Sequence, residues 1–140
     1  MSPPEAEALD RLAAAALAVR RHAYAPASDF QVGAAVLADD GRVFVGCNVE
    51  NASYGLTICA ERAAVSAAVA AGVRSLQAVA VATDLPEPAS PCGACRQVLA
   101  EFGRRQHVVM VGRGGARRQT TLDRLLPDPF TFDDIARSRS

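Results

Sequence analysis

Val108-Val109-Met110-Val111-Gly112-Arg113-Gly114-Gly115-Ala116-Arg117-Arg118-Gln119-Thr120-Thr121 decides how the chain closes its sheet. Residues 108–111 form a short continuous apolar run, the pattern of a strand buried on both faces. Arg117–Thr121 reads as a second strand. Only Gly112-Arg113-Gly114-Gly115 and Ala116 lie between them, too few for the crossover helix that parallel neighbours need, so the second strand returns antiparallel. Leu76–Ala82 is another run of the buried kind. Further back, residues 30–38 and 42–49 read as two strands joined by Asp39-Asp40-Gly41, a turn signal, and so as a hairpin.

Helices separate these strands. In residues 5–22, Leu9, Leu12, Ala16 and Val19 recur at helical spacing. Residues 59–71 are apolar nearly all round and stop at Gly72, which predicts a buried helix. A third helix is expected from a Ser90 cap, with Pro91 in its first position, to about Phe102 and a stop at Gly103. Residues 51–57 and 84–91 read as loops, the latter with three prolines. A short helix over 122–126 and a tail close the chain. The order α-β-β-α-β-α-β-β predicts an α/β domain of three α/β/α layers around a mixed five-stranded sheet.

The length of 140 residues suits one domain over 1–140. A hydrophobic content of 50% excludes a disordered tail. Fifteen basic residues, all Arg, balance fifteen acidic ones. Zero net charge argues against electrostatically driven binding to nucleic acid or membrane. The sequence has neither a signal-peptide pattern nor 18 consecutive apolar residues. A cytoplasmic location is therefore expected, where thiols stay reduced. There Cys47, Cys59, Cys92 and Cys95 point to metal or catalysis before disulfides.

Pro91-Cys92-Gly93-Ala94-Cys95 carries the strongest local signal. Cysteines at i and i+3 in a first helical turn face the same way and can share one tetrahedral zinc. The positive end of a helix also favours thiolates. A lone pair of this kind is also the pattern of a thioredoxin-like redox couple; the further candidate ligands upstream, at Cys59-Ala60-Glu61, favour metal. A Cys or His, a spacer, a Glu, then Pro-Cys-x-x-Cys is a zinc-deaminase signature. Three Cys ligands leave the fourth zinc position open for a water, and a carboxylate beside it is a proton shuttle. Cys47 reads as a small buried hydrophobe in a strand. As a fourth ligand it would instead close a structural site and leave Glu61 without a role.

Four segments together resemble the small homotetrameric cytidine deaminases: Phe30-Gln31-Val32-Gly33-Ala34-Ala35, Gly46-Cys47-Asn48-Val49-Glu50-Asn51-Ala52, Cys59-Ala60-Glu61-Arg62, and Pro91-Cys92-Gly93-Ala94-Cys95-Arg96-Gln97. The resemblance covers about residues 24–130. It implies a cytidine-deaminase-like fold and zinc-dependent deamination of cytidine and deoxycytidine, with release of ammonia, in pyrimidine salvage. It implies Zn²⁺ on Cys59, Cys92 and Cys95, with Glu61 as the catalytic proton donor. Asn48 and Glu50 are implied to hold the ribose, with Phe30 and Ala60 against the nucleoside. Phe130 is implied to reach a neighbouring subunit's site in a homotetramer. Arg62 is implied to bond to the ligand thiolates and offset their charge. One departure is visible: Ala27 stands where the family often has an aromatic residue.

The residue types fit these roles. Three thiolates and one Zn²⁺ leave a net negative charge, which helix N-termini and Arg62 can offset. Asn48 and Glu50 alternate along an extended segment, which predicts that both face one side, and their donors and acceptors suit sugar hydroxyls. His22 and His107 lack ligand spacing and read as structural. Arg104, Arg105, Arg113, Arg117 and Arg118 read as a solvated face, since no aromatic platform accompanies them. The alternative substrates are another cytosine-containing small molecule, such as a blasticidin-type antibiotic, or a polynucleotide. Polynucleotide deaminases commonly use His where Cys59 stands and a helix between the last two strands. A non-catalytic module stapled by a four-Cys zinc is the reading from another class.

Overall fold

In the computed structural model, which describes residues 4–139, strands β1 (Gly33–Ala38), β2 (Val43–Cys47), β3 (Leu76–Ala82), β4 (His107–Val111) and β5 (Arg117–Thr121) form one sheet in the order β2-β1-β3-β4-β5. β1 runs antiparallel to β2 and to β3. β3 and β4 are parallel, from Ala78 opposite His107 to Ala82 opposite Val111. β5 returns antiparallel to β4, as the short glycine link requires. The Asp39-Asp40-Gly41 turn joins β1 to β2, with Gly41 at φ 92° and the Asp40 carboxylate accepting from the Arg42 amide.

Helix α1 (Ala6–Arg20) covers one face and α2 (Ala60–Ala70) with α3 (Gly93–Ala100) the other. Leu9, Leu12 and Ala16 of α1 pack on Ala35, Leu37 and Val109. Ala64, Val65 and Leu99 pack on Val36, Val79 and Met110. The sheet is thus apolar on both sides, and β1 is buried along its whole length. Leu12 and Leu99 are fully buried, and burial of such a side chain stabilises by about 1.5–3 kcal/mol. Two short helices end the chain, α4 (Leu122–Leu125) and α5 (Phe132–Arg137).

Two glycines set how closely the helices approach. A Cβ on Gly33 would lie 2.0 Å from the Ala16 carbonyl oxygen of α1. One on Gly46 would lie 2.4 Å from the Ala64 amide nitrogen and 2.6 Å from the Ala60 carbonyl oxygen. β2 therefore touches the backbone of the first turns of α2. That contact fixes where α2 begins, and so where Cys59 stands.

Several boundaries differ from the sequence reading, each for a local reason. β1 starts at Gly33 and β2 ends at Cys47, because the Asn48 side chain replaces ladder bonds there. Its Oδ1 accepts from the Val32 amide and its Nδ2 donates to the Phe30 carbonyl, both at 2.8 Å. α3 begins at Gly93 with Cys92 in the N-cap position, so Pro91 lies outside the helix and Ser90 does not cap it. α2 is not buried all round: Arg62, Ser66, Ala67 and Ala70 are exposed. Its methyl-sized side chains make an apolar sequence without implying two covered faces. The expected tail contains α5. Its capping box, Thr131 with Asp134, satisfies two helix-end amides reciprocally.

Candidate metal centre and active site

The first residues of α2 and α3 meet beyond the end of β3. Cys59 and Cys92 hold the N-cap positions of α2 and α3, and Cys95 is three residues into the α3 turn. The three sulfur atoms lie within 4.8 Å of one another. Tetrahedral zinc with Zn–S bonds of about 2.3 Å needs sulfurs about 3.8 Å apart. The cluster and its soft thiol donors therefore fit zinc. Two helix macrodipoles direct their positive ends at the cluster, the arrangement that favours anionic sulfur. Cys47 lies outside this cluster; it is half-buried in β2 opposite Gly33.

The three thiols differ electrostatically. Burial pushes Cys95 strongly up, and the Glu61 charge adds to this. Burial also raises Cys59. For Cys92 burial acts upward, but hydrogen bonding to the Cys95 amide, the Cys95 thiol and the Ala94 amide outweighs it and the thiol falls below its ordinary value. A bound dication would bring all three to thiolate.

Glu61 sits in the first turn of α2 and is 5% exposed. Burial raises its carboxyl above the usual carboxylate range, against the opposing pull of its own backbone amide and Cys95. A cleft of about 250 Å³ opens beside it. Phe30, Val32, Ile58 and Val81 give it apolar walls, while Asn48, Glu61, Cys59 and Cys92 give it polar groups. Ala60 also lines this cleft. A flat heteroaromatic ring matches such a site: apolar faces, with polar groups at few points.

A profile of the cytidine and deoxycytidylate deaminase zinc-binding region matches residues 6–111. The chain belongs to this deaminase family. A cytidine deaminase of Sporosarcina psychrophila is 46% identical over 91% of this chain and 95% of its own length. One from Mycobacterium tuberculosis is 49% identical over 84% of this chain and 85% of its own. The crystal structure of cytidine deaminase from Burkholderia pseudomallei superposes with a TM-score of 0.83 at 52% identity, covering 86% of this chain and 98% of that one. The zinc-binding region that names the deaminase family and the three clustered thiols identify Zn²⁺ as the cofactor.

Other residues singled out in the sequence are not all brought to the cleft. Asn48 lines it and is buried, spending half of its amide on the Phe30 segment. Glu50 does not share that lining; it borders a separate hollow with Tyr24, Ala27 and Tyr54. Its Oε1 accepts from the Ala27 and Ser28 amides at 2.9 and 3.1 Å, and its Oε2 accepts from the Ser28 hydroxyl at 2.5 Å. The Ser28 hydroxyl and these amides hold the Glu50 carboxyl below its ordinary value. Asn48 and Glu50 flank Val49, which bridges to both Tyr24 and Ile58, and both side chains bond into residues 27–32, Asn48 to Phe30 and Val32 and Glu50 to Ala27 and Ser28. Phe130 lies outside the cleft of its own chain and is 63% exposed. Arg62 is exposed, and its side chain makes no hydrogen bond or ion pair with a described residue. The arginines of the C-terminal third are exposed as expected, Arg117 pairing with Asp10 and Arg113 with Asp84.

Sequence reasoning passed over Arg96 and Ser28. The signal for Ser28 was present in the Ser-x-Phe spacing, since its hydroxyl also accepts from the Phe30 amide at 3.0 Å in a turn of the kind Ser favours.

Proposed function

We infer that this chain hydrolyses the exocyclic amine of cytidine and deoxycytidine, giving uridine and deoxyuridine and releasing ammonia. The observation that carries the reading is a buried Glu61 against a three-thiol cluster at the head of an apolar-walled cleft. Cys59, Cys92 and Cys95 would hold the zinc. When bound there, zinc supplies Lewis-acid activation of water at neutral pH. Glu61 takes up the proton that water loses and delivers it to N3 of the pyrimidine; once the oxygen is bonded to C4, Glu61 takes the second proton from that C4 hydroxyl and passes it to the amine as the C4–N bond breaks and the C4 carbonyl forms. Its burial suits this work, because a carboxyl raised toward neutrality both accepts and returns a proton. Phe30 packs on the ring and Ala60 on the base edge. The two helix N-termini meet the net negative charge of the centre, and Arg62, one residue beyond Glu61, adds to them.

The decisive test is ammonia release by zinc-loaded protein on cytidine, deoxycytidine, cytosine, blasticidin S and single-stranded RNA. Turnover confined to the two nucleosides supports the reading. Turnover of blasticidin S or RNA alone replaces it with one of the rival substrates.

Asn48 and Glu50 are proposed to bind ribose hydroxyls. Each keeps unused capacity after its internal bonds: a second hydrogen on Nδ2 of Asn48 and free lone pairs on Oε2 of Glu50. A hydrogen bond to a charged group contributes about 1.5–3 kcal/mol, and contacts remote from the reacting carbon also orient it. Glu50→Ala should cut kcat/KM for both nucleosides at least about tenfold. Free cytosine and 3′-deoxycytidine should be poor substrates already and lose far less. Equal losses on all four would mean that Glu50 only braces the loop at Ala27 and Ser28.

A homotetramer is proposed as the working form, with Phe130 entering a neighbour's site. The exposed apolar Tyr54, Leu56, Phe130 and Phe132 support it, since exposed apolar surface marks contact sites. Chains carrying Phe130→Ala, mixed with chains carrying Glu61→Gln, should recover activity that neither has alone. Full activity in a monomer by light scattering would exclude the shared site. Zinc thiols need reducing conditions, and we place the protein in the cytoplasm, as one domain serving pyrimidine salvage.

A further inference from the structure

Cys92 is the exposed member of the thiol cluster. It follows a loop with three prolines; of these Pro91 is buried, while the Cys92 side chain itself takes no part in the core. What grips it is Arg96, the residue directly after Cys95. The Arg96 Nε donates to the Pro91 carbonyl at 2.7 Å, and Nη2 donates to the Ser90 hydroxyl at 2.9 Å. Its backbone amide donates to the Cys92 carbonyl at 2.9 Å. One side chain thus holds the peptide that enters Cys92 from the loop side. The remaining nitrogen, Nη1, donates to the Leu125 carbonyl at 2.9 Å. Leu125 belongs to α4, which is anchored by the buried Leu122 and by a bond from the Leu122 amide to the Gln106 carbonyl. The loop that bears the exposed cysteine is therefore moored, through Arg96, to the packed body of the protein.

Charge makes a second argument. Arg96 is half-buried, and all its partners are neutral; it makes no ion pair with a described residue. Partly buried guanidinium groups ordinarily meet an anion. Its chain neighbour Cys95 belongs to the thiol cluster, which is net negative once it holds zinc. The guanidinium fork also does what Lys cannot: three donors in one plane satisfy Pro91, Ser90 and Leu125 together.

We propose that Arg96 is a positioning residue of the zinc centre, fixing the Pro91–Cys92 peptide and lending the three-thiolate cluster a positive charge that no carboxylate among the described residues claims. This rests on the zinc reading above. Partners that orient metal ligands typically cost about 10–100-fold in metal affinity or activity when removed. The test follows zinc transfer from full-length loaded protein to a colorimetric chelator, together with melting temperatures of the loaded and the zinc-stripped forms. Arg96→Gln should release zinc about 10–100-fold faster, and the rise in melting temperature on loading should shrink. Arg96→Lys, which keeps the charge and loses the fork, should fall between. Ser90→Ala removes one bond of the three and should speed release a few-fold, which keeps the proposal testable if Arg96→Gln does not fold. Release within about twofold of the parent in these variants, or an equal fall in both melting temperatures, overturns the proposal. A parent protein that retains no zinc overturns the zinc reading itself, before any variant is measured.

Discussion

Glu61→Gln is expected to keep the fold and the zinc and to lose turnover by about 10²–10⁴-fold or more. The substitution preserves shape and removes only the ability to take and give a proton. Glu61 is buried, and burial already disfavours its charged form. A neutral amide of the same size therefore costs the fold little at this site. The loss should sit at the upper end of the range because one carboxyl serves the water, the ring nitrogen and the leaving amine in turn. Glu61→Asp tests reach separately from chemistry. It retains the carboxyl but withdraws it by one methylene, and displacements of about 1 Å can cost about 10²-fold. Ammonia release, normalised to zinc measured in the same sample, decides both cases. Turnover within tenfold of the parent in zinc-replete Glu61→Gln would remove Glu61 from the mechanism.

The sheet was legible in the sequence because its signals are local and redundant. Val108–Val111 is apolar throughout and Leu76–Ala82 apolar but for Gln77, neither with alternation, and both strands are buried in the middle of the sheet. The link from Gly112 to Ala116 is too short for a crossover, and β5 does run antiparallel to β4. The ligand motif was legible for the same reason. Cys59 and Cys92 each mark the start of a helix, so a motif read along the chain became a cluster in space.

What the sequence concealed depends on side chains that stand in for backbone. Asn48 ends two strands early by bonding Phe30 and Val32, and no periodicity announces such a substitution. Asn48 and Glu50 both bond into residues 27–32, but the carboxylate of Glu50 is engaged by the Ala27 and Ser28 amides, a loop contact that no alternation pattern announces. The alanines of α2 read as a buried helix because hydropathy counts methyl groups without asking how many faces are covered. Ser90 had the residue type of a cap, yet its hydroxyl accepts from Arg96 and the cap position falls to Cys92. α5 was readable in principle. Thr131-x-x-Asp134 is a capping signature, but with six residues the helix has too little apolar periodicity to declare itself.

Zinc occupancy should divide the four cysteines into three and one. Elemental analysis of the parent should give about one zinc per chain, since a tetrahedral site with three thiolate ligands keeps one position for chemistry. Cys95→Ser and Cys92→Ser should each lose most of the metal. Cys95 is the buried anchor of the cluster and Cys92 its exposed edge, so Cys95→Ser should also lower stability, whereas Cys92→Ser should leave the zinc-stripped fold near that of the parent. Cys47→Ser should retain a ratio near one, because Cys47 stands in β2 outside the cluster. The zinc-stripped parent should keep its far-ultraviolet circular dichroism. Both faces of the sheet carry continuous apolar cores, unlike small metal-dependent domains that unfold without their ion. The opposite pattern, with Cys47→Ser emptying the site and chelation unfolding the chain, would mean a closed four-cysteine structural centre. Such a centre would have no open position for water, and the buried carboxyl of Glu61 would have no proton to move.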